Sequence, residues 1–199
     1  MSCTKEKTDY EAEINMVVTE HYEFKEAAAI NIDDYHISIE ALNGTFYKGY
    51  NEIRLKISGA NTNENINAPA VTFLPVMTNA DGSRASCPHR YNLVYNADDK
   101  YFPGYAVFTG ESGTNETWEL YISFTINNQS HSVKQAITVQ EQTNKNLNMT
   151  TFTGKDSEQY FIALVAPQKP KVAENELVAG IYKFNEPTSP PSGSFPDPS

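Results

Sequence analysis

The chain has 199 residues, with 15 Lys and Arg against 25 Asp and Glu, a net charge of −10 and two cysteines. That acidity excludes a duplex nucleic-acid binder, whose affinity comes from Lys and Arg displacing counterions from phosphates. Two cysteines cannot build a disulfide scaffold, and no apolar run approaches the ~18 residues of a membrane-spanning helix.

The acidity is concentrated at the start. Residues 1–34 hold nine Asp and Glu against three Lys, six of the ten net negative charges, and read as an acidic leader or tether. Cys3, preceded by the small Ser2 and followed by Thr4-Lys5-Glu6-Lys7, has the form of a bacterial lipoprotein whose signal peptide has been removed. It is the candidate lipid attachment site, and a lipid there anchors a domain beside a membrane without spanning it. Residues 23–29, with Glu26-Ala27-Ala28-Ala29, give the one weak hint of a helical turn.

Residues 35–141 predict an all-β domain. Tyr35-His36-Ile37-Ser38-Ile39-Glu40-Ala41 alternates apolar and polar residues before an Asn43-Gly44 turn, and residues 51–57 repeat the pattern with charges outward. Further strands are expected at 71–77, 91–95, 101–109, 117–126 and 130–140, with Asn127-Asn128 turning the chain between the last two. Pro75 predicts an edge strand or a bulge. Seven short strands with turn signals at ~8–12-residue spacing are the pattern of an antiparallel sandwich. Trp118 falls in the sixth strand, on the face of Leu120, Ile122 and Phe124, and is assigned to the core.

Residues 142–184 read as a partial second β domain, a strand pair. A shift of 124 residues lays Tyr160 under His36, Asn175-Glu176-Leu177 under Asn51-Glu52-Ile53, and Ile181 under Ile57. Two strands bury no core of their own, so an open sheet edge available to a protein partner is expected here. Residues 185–199 hold five of the eleven prolines and form a Pro/Ser-rich tail.

No Gly-x-Ser-x-Gly elbow and no Gly-Lys-Ser/Thr phosphate loop is present, and no local context marks any of the four histidines as a catalytic base. The chain is therefore read as non-enzymatic. The Asn- and Asp-containing loops at 61–65 and 79–83 lack the calcium-hand pattern. The most promising donors are Met77, Cys87 and His89, a thioether, a thiol and an imidazole around one strand-loop-strand connection, a set that suits copper, above all Cu(I).

Gly49-Tyr50-Asn51-Glu52-Ile53, Phe73-Leu74-Pro75-Val76-Met77, Ser86-Cys87-Pro88, residues 101–107 and Trp118-Glu119-Leu120 together resemble the YtkA-like domains of bacterial envelope lipoproteins, over about residues 35–183. The resemblance implies an immunoglobulin-like sandwich outside the cytoplasm, in a family linked with copper handling through Met- and His-rich loops. Here Met77 matches the Pro-x-Met position and Ser86-Cys87-Pro88 the end of the loop, while the Met and His expected between them are absent. The expected protein is an outer-membrane-anchored, periplasmic or surface-exposed lipoprotein that binds or assembles, with copper as its candidate ligand. The competing expectation is a structural or partner-binding lipoprotein without metal.

Overall fold

Period-two patterning decides which face each strand buries, and it governs nearly the whole chain. The computed structural model describes residues 23–143, 149–167 and 171–183. Cys3 and the 185–199 tail therefore lie outside the described residues. Every regular element among the described residues is a β-strand: β1 (Phe24–Ile32), β2 (Tyr35–Leu42), β3 (Phe46–Tyr47), β4 (Gly49–Gly59), β5 (Ala70–Asn79), β6 (Arg84–Ser86) and β7 (Asn92–Leu93). There follow β8 (Phe102–Phe108), β9 (Glu116–Ile126), β10 (Gln129–Ile137), β11 (Val139–Gln140), β12 (Met149–Thr153), β13 (Gln159–Ala166) and β14 (Val178–Lys183).

Two antiparallel sheets form a sandwich. One has the order β1-β2-β4-β8; the other has the order β10-β9-β5-β6, with β7 also pairing β5. Ile37 and Ile39 of β2, Ile53, Leu55 and Ile57 of β4, and Phe102 and Phe108 of β8 are buried against Phe73, Trp118, Leu120, Ile122 and Phe124 of the facing sheet. Trp118 is 1% exposed, and its indole Nε1 donates to the Gly110 carbonyl at 3.1 Å, so its polar atom is satisfied inside the core. The expected turns form as their chemistry requires. Asn127 and Asn128, with φ of 51° and 62°, make the two-residue β9–β10 hairpin, and Asn43 and Gly44 (58° and 71°) turn the chain after β2.

The fold begins earlier than the sequence suggested. Residues 24–32, assigned to the leader and in part to a helical turn, are strand β1, paired antiparallel with β2 from Phe24↔Leu42 to Ile32↔Tyr35. A bulge between Glu26 and Ala28 resets the register, and Ala27, Ala28 and Ile32 pack on the core. The free edge of β2 offers main-chain partners that a three-alanine helical preference cannot outweigh.

Pro75 lies in a central strand rather than at an edge, since β5 pairs β9 on one side and β6 and β7 on the other. The Phe73 N–H donates to the Tyr91 carbonyl at 2.8 Å, so the nitrogen two residues on, that of Pro75, faces the same neighbour. It has no hydrogen to donate, and the neighbouring chain breaks there. β6 pairs Val76, Met77 and Thr78, β7 pairs Val71 and Thr72, and between them the chain leaves the sheet.

The last three strands make a separate sheet of order β12-β13-β14, one strand more than the expected pair. Phe161 and Ala163 of β13 are buried, β13 lies against β4, and Tyr182 of β14 meets Tyr105 of β8 at 5.6 Å between ring centres. Tyr105 in turn stacks on Tyr50. The third sheet thus lies on the outward side of β4 and β8 around Tyr50 and Tyr105.

The internal repeat extends to side-chain detail. β13 has the bounds of β2 shifted by 124 residues, and β14 ends where a shifted β4 would. Asn51 accepts from the Tyr47 N–H at 2.9 Å and donates to the Tyr47 and Gly49 carbonyls at 2.6 and 2.9 Å. Asn175, 124 residues on, accepts from the Lys171 N–H at 2.9 Å and donates to the Lys171 and Ala173 carbonyls at 2.9 and 2.8 Å. The same amide clamps the same backbone turn, at the start of β4 and just ahead of β14.

Candidate functional site

The detour forced by Pro75 carries Cys87 and His89. Ser86 closes β6 by donating from Oγ to the Pro75 carbonyl at 2.7 Å. The chain then crosses to the other sheet, where His89 bridges Ala106 of β8 and the Val107 N–H donates to the Pro88 carbonyl at 2.8 Å. The segment rejoins β5 at Tyr91. It is a tie between the two sheets, and Cys87 and His89 on it and Met77 on β5 meet three different environments.

Met77 stands on β5 between Ala85 and Trp118 in register, half-buried and packed against the core. Cys87 is a free thiol, 4% exposed, inside the core cluster. Burial pushes its pKa far above the ordinary thiol value, opposed by hydrogen bonding from the Val107 backbone, so at neutral pH it is a protonated, apolar-packed side chain.

His89 is different. Its Nδ1 lies 2.6 Å from the Cys87 carbonyl oxygen. A carbonyl only accepts, so Nδ1 carries the proton. Burial lowers the ring's pKa, with the carbonyl contact acting the other way, and the neutral ring then has a bare lone pair on Nε2. That atom is buried and has no hydrogen-bond partner among the described residues. An imidazole held through Nδ1–H by a backbone carbonyl, with Nε2 free, is the arrangement in which histidine ligates metals.

The three donors therefore fit copper unevenly. His89 fits as it stands. Met77 supplies a soft thioether within the same strand–loop unit. Cys87 ligates only as a thiolate, and a metal there must displace a proton that its surroundings hold firmly. Its link to His89 runs through the backbone carbonyl. Among the described residues no group of three or more His, Cys, Asp and Glu side chains is placed to hold a metal. No helix among them is long and apolar enough to cross a membrane.

Two features were missed in the sequence. His131 of β10 pairs with Asp33, Nδ1 to Oδ2 at 2.8 Å, and stacks on Phe124 with 5.0 Å between ring centres. This joins the β1–β2 turn to the opposite sheet across the mouth of the sandwich. The partners are 98 residues apart, and no local pattern announces such a pair. The second feature is the surface of the third sheet. Phe152, Val172, Leu177, Val178 and Ile181 are all exposed, and among the described large hydrophobic residues that are exposed, only Val94 lies elsewhere. Alternation in residues 160–181 signalled strands, but not which face would be covered.

These observations define an all-β protein, an antiparallel sandwich with a further three-stranded sheet docked on its outer face. The chain matches no protein-family model, no curated protein and no solved structure.

Proposed function

We propose that this protein is a non-catalytic lipoprotein of the bacterial cell envelope, lipid-anchored at Cys3, whose sandwich is of immunoglobulin type and whose role is binding and assembly. The observation that carries the reading is the third sheet. It keeps one face on the sandwich and presents an open edge and an apolar surface on an otherwise strongly acidic chain, the features of a surface that meets another protein. The YtkA-like motifs at Gly49-Tyr50-Asn51-Glu52-Ile53 and Ser86-Cys87-Pro88 support the envelope setting.

The anchor is tested by fractionation. Cys3→Ser is expected to move the protein from the membrane to the soluble fraction, and retention in the membrane would remove the anchor. Deleting residues 155–199 is expected to change the oligomeric state or solubility, and an unchanged monomer of equal stability would remove the assembly role.

A second reading, copper binding at His89 with Met77 and Cys87, is favoured by the unpartnered Nε2 of His89. Cu(I) titration of the reduced protein tests it. Binding tighter than ~1 µM, weakened by His89→Ala and Met77→Ala, is expected. Weaker binding, or indifference to both substitutions, would dispose of the metal.

A further inference from the structure

Among the described residues the three larger sheets end in β1 and β8, β10 and β6, and β12 and β14; residues 88–90 run along β8, and β6 and β12 are short, of three and five residues. Such edges recruit other strands unless charge, proline or a bulge blunts them. β1 carries a bulge and the charges of Lys25 and Glu26, and β10 carries His131 and Lys134. β14 reads Val178-Ala179-Gly180-Ile181-Tyr182 before its terminal Lys183 and has no such protection. Val178 and Ile181 are exposed on it, and Leu177 just ahead of it, at 73%, is exposed as well.

The repeat says what is missing. The clamp at Asn51 leads into β4, which pairs β2 on one edge and β8 on the other. The matching clamp at Asn175 leads to β14, which pairs β13 on one edge, and on the other no described strand. Among the described residues, β14 is a β4-like strand without its second neighbour.

Charge names the neighbour. Glu174 and Glu176 precede β14 and Lys183 ends it. Antiparallel pairing of two such strands about a two-fold axis sets the acidic start of each beside the basic end of the other. Lys183 is only loosely engaged within its own chain, 3.8 Å from Asp156 and 3.7 Å from Glu158. Residues 149–183 hold four Lys and four Asp and Glu, so this neutral stretch lets two copies of a chain of charge −10 meet without like-charge repulsion. We propose that a second copy of this chain pairs antiparallel along β14, joining two three-stranded sheets into one of six strands with an isologous interface. The inference rests on the reading of the protein as one that binds through an open sheet edge, and it names the edge and the partner.

The test is analytical ultracentrifugation of the full chain over a concentration series, with hydrogen exchange on the same samples. A monomer–dimer equilibrium is expected, with β14 amides protected only where the dimer is populated. Ile181→Lys, at an exposed position, should abolish the dimer while leaving the circular dichroism unchanged; Val178→Lys serves where the first variant does not fold. Ala136→Lys on the β10 edge should leave the dimer intact. A dimer that survives the β14 substitutions, or one lost equally with Ala136→Lys, overturns the pairing. So does a monomer with rapidly exchanging β14 amides, which still leaves the edge open to a different protein. A monomer with protected β14 amides overturns both the self-pairing and the open-edge reading.

Discussion

Cys87 and His89 show one cause acting with opposite signs. Burial disfavours whichever form is charged, so it raises the thiol and lowers the imidazole. For His89 this has a consequence for stability. The folded ring holds its proton less readily than the unfolded one, whose value is the ordinary 6.5. The unfolded chain therefore binds the proton first as pH falls. The contribution of His89 is complete above 6.5 and is lost as pH drops through the lower folded value. Urea midpoints should decrease between about pH 7.5 and pH 5.5, and in His89→Gln that part of the decrease should vanish. Met77, Cys87 and His89 were visible in the sequence as residue types around a loop. Their differing surroundings were not, because the loop's path depends on a hydrogen that Pro75, more than ten residues earlier, does not have.

At the scale of elements, Asn51 shows how a strand begins. It is 7% exposed and holds three backbone groups of the preceding turn. Asn51→Ala leaves those groups buried without partners and is expected to cost about 2–3 kcal/mol in denaturant unfolding. Asn175→Ala, at a more exposed copy of the turn, should cost less. A smaller loss at Asn51 than at Asn175 would refute the assignment. The strands themselves were legible wherever one face meets water and the other the core, as in β2, β4 and β9. Legibility failed where pairing outranked local pattern. β1 contains an alanine run that favours no strand by itself, and its bulge hides the alternation. β5 is apolar on both faces because Leu74 and Val76 are buried as well as Val71 and Phe73, so local pattern does not distinguish a central strand from the edge or bulge that Pro75 suggests.

For the whole molecule, the junction between sandwich and third sheet is built on tyrosine. Tyr50, Tyr105 and Tyr182 form a chain of rings. Burial above all pushes the Tyr50 phenol up to about 12, with Glu52 and Tyr105 adding to the shift and Arg90 opposing it. Burial, with Tyr50 and Tyr105 nearby, raises Tyr182 further. A raised folded pKa stabilises the docked state fully below the ordinary value of 10.0 and less as pH climbs past it. Alkaline titration followed by phenolate absorbance should show Tyr50 and Tyr182 ionising late, with the third sheet undocking as they do. Tyr182→Phe should remove the latest step, and its persistence would place the junction elsewhere.

The paired clamps at Asn51 and Asn175 also bear on how the chain reaches this state. Each closes a ring spanning four residues, at small entropic cost, whereas joining β4 to β8 brings Gly49 to Phe108. The polypeptide thus carries two starting contacts that need no distant strand, one for the sandwich and one for the third sheet. Independent nucleation of the two sheets, with docking afterwards, is the folding order this arrangement predicts.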